Sequence, residues 1–222
     1  MDSKRRLICA LFYDGLIALS ATLGVLFTVF HIYFMANAGR LTEAPFFVTF
    51  TGLSNVAMGL VALGCFFVRL VRRDSQLPAW LFIVRMVVVA HIAITFLITA
   101  AYLAPSVGAD WWRLYINGSL FNHLLTPLLS ILGFLLLQRQ SSIRFLHCLY
   151  SLIPMGAYGT FYFIRAYTHV DASGHIDLYY DIYGLARWGM GATLGLMAGF
   201  LALSFLLTSL LFLQNHCKKQ SD

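Results

Sequence analysis

Four polar residues, Thr49, Thr51, Ser54 and Asn55, open one of the apolar stretches of this sequence. Phe46-Phe47-Val48-Thr49-Phe50-Thr51-Gly52-Leu53-Ser54-Asn55 places Thr51, Ser54 and Asn55 at i, i+3 and i+4. That spacing puts them on one face of a helix. A hydroxyl is a weak nucleophile until a neighbouring base takes its proton. The sequence offers such a base in Leu120-Phe121-Asn122-His123-Leu124-Leu125-Thr126-Pro127. At a helical rise of about 1.5 Å per residue, His123 lies about 13 Å below the outer end of its stretch, near the level of Asn55 and one turn below Thr51. A hydroxyl and an imidazole at one depth suit acyl transfer, with Thr51 as nucleophile and His123 as base. Asn55 and Asn122, with Ser54 beside them, are the candidates to bind substrate and an oxyanion. The same residue types also fasten transmembrane helices to one another, so these residues by themselves leave both roles open.

A second polar set lies toward the opposite end. Asp14 and Arg85 each fall about 8–9 Å inside their stretches from the same side, and an Asp14–Arg85 ion pair is the economical way to hold both. The pair acts as a structural clamp or, in a transporter, as a charge switch. Among seven histidines, His31, His91 and His123 form a weak alternative as metal ligands converging from three helices. No His-Glu-x-x-His, nucleophile elbow or phosphate-binding loop accompanies them, and no cofactor is expected.

Those residues need elements to position them, and composition says which kind. Of the 222 residues, 60 % are apolar and 11 % charged, against about 45–50 % and 25 % in a soluble domain. Such a chain cannot cover its own surface with polar groups, which excludes disorder and disulfide-rich scaffolds. The apolar residues come in runs long enough for a bilayer, which takes about 20 residues per helix. The sequence predicts an all-α polytopic membrane protein, one six-helix domain over 1–222, with spans at about 9–35, 46–70, 79–103, 114–137, 143–166 and 187–213. The first span is too long for a cleavable signal peptide. Pro127 and Pro154 are expected to kink spans four and five. The two halves share no motif, so the sequence gives no sign of an inverted repeat.

Net charge is +6. The basic residues punctuate apolar runs, and no nucleic-acid-binding motif accompanies them. With the N-terminus cytoplasmic, Lys4, Arg5, Arg6, Arg69, Arg72, Arg73, Arg139, Arg144, Lys218 and Lys219 lie inside, and Arg40, Arg113, Arg165 and Arg187 outside. This bias predicts both termini on the cytoplasmic side. Cys9, Cys65, Cys148 and Cys217 then fall near the reducing side as free thiols. The last outer connector, Leu178-Tyr179-Tyr180-Asp181-Ile182-Tyr183-Gly184, is aromatic and acidic, which suits an interfacial anchor or a substrate lid. Asn117-Gly118-Ser119 matches a glycosylation sequon but sits too close to the membrane for the transferase.

Several of these segments resemble motifs of a family of small bacterial six-helix membrane proteins. Phe50-Thr51-Gly52-Leu53-Ser54-Asn55 resembles its F-T-x-x-S-N, Thr99-Ala100-Ala101-Tyr102 its T-x-x-Y, and His123 to Leu129 its H-x-x-x-P-L-L. Tyr180-Asp181-Ile182-Tyr183-Gly184 is similar to its aromatic loop motif. That family is distantly similar to the androgen-induced-gene membrane proteins, hydrolases of fatty acid esters of hydroxy fatty acids that use an intramembrane threonine and histidine. The resemblance implies a bacterial plasma-membrane protein that hydrolyses lipid esters, with membrane lipids as partners and a lipid as substrate. It places the nucleophile at Thr51, with Thr49 two residues away as the alternative, and the histidine at His123. The acidic residue that the family carries after the span-four proline is absent here, where Ser130 and Gly133 follow Pro127. The non-enzymatic readings are a small-solute permease and a membrane scaffold.

Overall fold

The computed structural model describes residues 3–37, 46–140, 142–170, 176 and 179–220. Arg40, Glu43, Asp171 and Asp177 lie outside them. The described residues are helical, with one isolated antiparallel bridge between Val170 and Ile176. The long elements are α1 (Ser3–Asn37), α2 (Phe50–Arg72), α3 (Ala79–Ser106), α4 (Asn117–Leu137), α5 (Leu152–Tyr167) and α6 (Met190–Gln220). Five of them, all but α5, are long and apolar enough to cross a membrane.

The expected span at 143–166 is not among these five. It is a 3₁₀ segment, Phe145–Ser151, followed by only 16 α-helical residues. Pro154 explains the break. Lacking an N–H, it cannot bond the carbonyl four residues back, so it is tolerated in a first helical turn and the α-helix begins just before it. Short 3₁₀ helices also connect the other elements. Gly108–Tyr115 joins α3 to α4, and Ala186–Trp188 precedes α6.

The fold is organised around α3. It packs on α2, α4, α6 and the 3₁₀ segment before α5, while α1 packs on α2 and α4. In α3, 67 % of the most apolar window is buried, against 17 % in α6. Phe82, Met86, Val89 and Ile92 of α3 pack with Met58, Ala62, Ile17 and Phe134 in one core. Outside that core the surface stays apolar. Phe12, Leu60, Phe67, Leu136, Ile153 and Leu206 are all exposed, a surface suited to hydrocarbon rather than water.

Helices α1 and α4 approach closely at two glycines. A Cβ on Gly118 would stand 2.4 Å from Thr28 Oγ1 and 2.9 Å from the Thr28 backbone nitrogen. A Cβ on Gly24 would stand 2.3 Å from Asn122 Oδ1. Small residues at such crossings let backbones meet. Here they let the Asn122 amide donate to Thr28 Oγ1 at 2.9 Å and to the Gly24 carbonyl at 3.3 Å.

At the opposite end Asp14 is fully buried, and two guanidinium groups hold it. Arg85 donates to one carboxylate oxygen and Arg69 to the other. Arg69 also donates to the Ser75 carbonyl at 2.9 Å and to Gln138 Oε1 at 2.7 Å. Sequence depth pairs Asp14 with Arg85 alone and assigns Arg69 to the inner rim. The structure buries Arg69 as a second partner. One carboxylate thus ties α1, α2 and α3 together, and Gln138 brings in the end of α4.

Asp14→Asn is expected to destabilise the protein by about 3–5 kcal/mol, because it removes the counter-charge from two buried cations. Arg69→Met, which leaves Asp14 on Arg85, is expected to cost less. Denaturant titration in detergent micelles ranks the two, and the reverse order would contradict this account of the clamp.

Candidate functional site

The site begins at the entry to α2. Residues Phe46–Val48 form one 3₁₀ turn, and Thr49 caps the helix after it. The Thr49 hydroxyl accepts from the Gly52 N–H at 2.9 Å and donates to the Phe46 carbonyl at 2.8 Å. That is an ordinary N-cap role, and it engages the Thr49 hydroxyl away from chemistry. The turn folds directly over Gly52, where a Cβ would meet the Phe46 carbonyl oxygen at 2.1 Å. The glycine in Phe-Thr-Gly-Leu-Ser-Asn therefore lets the cap close and aims Phe50 and Thr51.

Both reach a cavity of about 540 Å³ between α2, α3, α5, α6 and the loop before α6. Its walls are almost wholly apolar, with Ile94, Ile98, Met155, Met197, Phe200 and Leu201 among them. The hydroxyls on them come from Thr51, Thr95, Thr99 and Thr160 and from Tyr102, Tyr158, Tyr162 and Tyr183. The volume falls within the range of small-molecule sites, about 300–1,000 Å³.

Register between α2 and α3 is set by a hydroxyl pair. Ser54 Oγ lies 3.0 Å from Thr95 Oγ1. The helices are antiparallel, so one turn further out on each stand Thr51 and Thr99, both on the cavity wall. Thr99 meets the histidine. Its Oγ1 lies 2.9 Å from His123 Nδ1, whereas no hydrogen bond joins Thr51 to His123. The sequence-level partner of His123 thus changes from Thr51 on α2 to Thr99 on α3. Thr51 remains a neighbouring hydroxyl on the same wall.

Both members of this pair sit in π-helical turns, Thr99–Leu103 in α3 and Phe121–Leu125 in α4. Each turn ends two residues before a proline, Pro105 and Pro127. Proline has no N–H to give the carbonyl four residues back, and its ring crowds that carbonyl. The wider turn relieves the crowding. Pro127 therefore acts through a π-turn that carries His123, and Pro105, which reads as connector in the sequence, does the same for Thr99. Single π-turns inside α-helices occur frequently at functional sites.

The asparagines have other roles than the one expected of them. The Asn55 amide donates to the Thr51 carbonyl at 2.9 Å and to the Asn122 carbonyl at 3.0 Å. Asn122 donates to Thr28 and Gly24. With both hydrogens of each amide engaged, and neither residue on the cavity wall, Asn55 and Asn122 fasten α1, α2 and α4 rather than await an oxyanion. Ser54 is likewise held, by Thr95 and by the Thr51 carbonyl at 3.1 Å.

The three histidines of the alternative metal set do not gather. His31 is exposed on α1. His91 Nδ1 bonds the Val87 carbonyl at 2.7 Å, and its Nε2 faces Ser204 Oγ at 3.4 Å. Among the described residues no three His, Cys, Asp or Glu side chains are grouped to hold a metal ion.

The chain matches no family model, no curated protein and no solved structure.

The loop before α6 closes one side of the cavity. Tyr183, Leu185 and Trp188 line it. Buried Asp181 accepts from the Leu185 and Ala186 N–H groups at 2.9 and 3.0 Å and from the Tyr162 hydroxyl. Tyr183 accepts from the Phe50 N–H at 2.8 Å. Burial pushes the Tyr183 phenol above its usual range, so it stays a neutral hydroxyl. The turns at Gly184 (φ 64°) and Gly189 (φ 85°) use the left-handed region open to glycine. By composition this loop suits an anchor or a lid. In the structure it is a cavity wall pinned to the first turn of α2.

Gly52→Ala is expected to destabilise the protein by about 1–3 kcal/mol through overpacking against a backbone oxygen. It should also disturb ligand occupancy of the cavity. Gly64→Ala, at an open position on the same helix, should do neither. Thermal unfolding of the two variants side by side tests this, and equal midpoints would refute it.

Proposed function

We propose that the protein is an integral membrane hydrolase of lipid esters, with His123 as base for a threonine on the cavity wall. The supporting observation is the 2.9 Å contact between Thr99 Oγ1 and His123 Nδ1 beside an apolar cavity. Under this reading the chain crosses a bacterial plasma membrane six times, α5 with its 3₁₀ extension making the sixth crossing, and both termini are cytoplasmic. The expected family resemblance points the same way.

The chemistry is a two-step acyl transfer. His123 carries its proton on Nε2, so Nδ1 is free to take the Thr99 hydroxyl proton. Oγ1 then forms a bond to the ester carbonyl carbon, and the carbon–alkoxide bond breaks. His123 returns its proton to the departing alcohol. Water next gives a proton to His123 and attacks the acyl-threonine carbonyl; the carbon–Oγ1 bond breaks, the acid is released, and His123 returns the proton to Thr99 Oγ1. Among the described residues no carboxylate bonds His123, so the unit is a dyad. A membrane lipid enters sideways between helices and needs no aqueous cleft. Asp14, held between two arginines, supports a structural clamp better than a permease's charge switch.

Wild-type protein is expected to react with a fluorophosphonate probe. His123→Ala should slow labelling by about 10²–10⁴-fold, the usual worth of a general base. Thr99→Ala should abolish labelling, while Thr51→Ala should retain it. Loss in Thr51→Ala alone would move the nucleophile to Thr51. Labelling that survives in both threonine variants, or never occurs in wild type, would overturn the hydrolase reading and favour a scaffold.

A further inference from the structure

A second apolar cavity, of about 390 Å³, lies beside the first. Its walls include Ala57, Val88, Pro154, Ala157 and Phe161, none of which lines the larger one. Phe50 and Tyr158 belong to both walls. Their ring centroids stand 5.2 Å apart with planes at 59°, and the Phe50 ring also meets the His91 ring at 5.9 Å.

We infer that Phe50 and Tyr158 are a partition that sets how long a lipid chain the larger cavity admits, with the smaller cavity as its extension when the partition moves. This rests on the reading that the cavity takes a lipid chain, but not on any catalytic step. Size supports it. At about 30 Å³ per water-sized group, the larger cavity takes roughly 18 methylene-sized groups and the smaller adds roughly 13. One ordinary acyl chain fills the first, and the two rings stand between it and the space beyond.

The partition is held from the loop before α6. The Phe50 N–H donates to the Tyr183 hydroxyl at 2.8 Å. The Tyr158 hydroxyl donates to the Val48 carbonyl at 3.2 Å and lies 3.5 Å from the Tyr183 hydroxyl. Tyr183 thus bonds both halves from the loop. Phe50 is an α2 first-turn residue, so its ring position also depends on the Thr49 cap. The Phe50 backbone and the Tyr158 hydroxyl are held by polar contacts, while the Phe50 ring rests on the His91 and Tyr158 rings, which suits a wall that yields.

The experiment uses the full chain in phosphatidylcholine vesicles with saturated fatty acids of increasing length, each carrying a terminal diazirine. After irradiation, mass spectrometry locates the label. In wild type, label is expected on Met197, Phe200 and Leu201 at every length, with little on Ala57 and Val88. In Phe50→Ala, the longest probes should raise label on Ala57 and Val88 at least fivefold, while the shortest stay in the larger cavity. Phe50→Leu should give the same shift more weakly and stands in should the alanine variant fail to fold. Equal label on Ala57 and Val88 in wild type and both variants would overturn the partition. Absence of label from both cavities would overturn the lipid-chain reading as well. Failure of fluorophosphonate labelling alone would touch only the catalytic reading.

Discussion

A carboxylate buried to zero exposure must be answered by positive charge, and Asp14 is answered twice. Burying an unpaired ion costs several kcal/mol, and a partner repays this only with good geometry and further hydrogen bonds. Arg69 meets that condition through Asp14, Ser75 and Gln138. The clamp leaves a net positive charge, and Arg85 Nε and Nη2 have no hydrogen-bond partner. Its yield in stability is therefore less than its contacts suggest. What it does supply is register. It fixes α1, α2 and α3 against each other at one end of the bundle. From there the small-residue crossing of α1 and α4 and the Ser54–Thr95 pair carry alignment to the other end.

The candidate site depends on that alignment and on two prolines. An uninterrupted α-helix repeats every 3.6 residues. A π-turn inserts slack and rotates the helix beyond it. Pro105 and Pro127 each produce such a turn one helical turn before themselves. The two turns face each other across α3 and α4, and Thr99 and His123 meet there. The helix distortion that brings the pair together is thus local, caused by missing N–H groups rather than by the chain's overall topology.

This explains which parts are legible in the sequence. Run length carries the helical class and the positions of the five long apolar helices, because both follow from the order of apolar residues and the breakers between them. Counting 1.5 Å per residue is enough to bring Asp14 to Arg85. The same counting brings His123 to the level of the wall hydroxyls but does not distinguish Thr51 from Thr99, the one it bonds. Depth ranks residues along a helix axis and says little of rotation about it, and both α3 and α4 rotate at their π-turns. Thr99 stands in the sequence as the head of Thr-Ala-Ala-Tyr, six residues before Pro105, and that proline is the available signal. Asn55 and Asn122 read as oxyanion donors because residue type shows what an amide can do, not what already occupies it. The start of α5 is hidden for a related reason. Pro154 reads as a kink in a long span, whereas the backbone places it in a first turn, where its missing donor is harmless.

A hydrolase working in an apolar cavity must admit two reactants of opposite polarity. Under the hydrolytic reading a lipid meets little barrier along α6, whose lining residues Leu194, Leu196, Met197, Phe200 and Leu201 are all apolar. Water meets a greater one. Three of the hydroxyls on the cavity wall, those of Tyr158, Tyr162 and Tyr183, cluster where the loop before α6 meets α2 and α5, and buried Asp181 lies behind Tyr162. Asp181 also holds the backbone at Leu185 and Ala186, so the loop braces this tyrosine cluster, while Thr51, Thr95, Thr99 and Tyr102 stand on α2 and α3. Under the hydrolytic reading, that arrangement separates the two routes. In it the acyl chain would lie along the α6 wall, the ester carbonyl would reach Thr99 on α3, and water would approach from the tyrosine cluster. The loop's pinning to Phe50 then has a physical reason beyond stability, because the contact that shapes the lipid's space also bounds the polar side of the cavity.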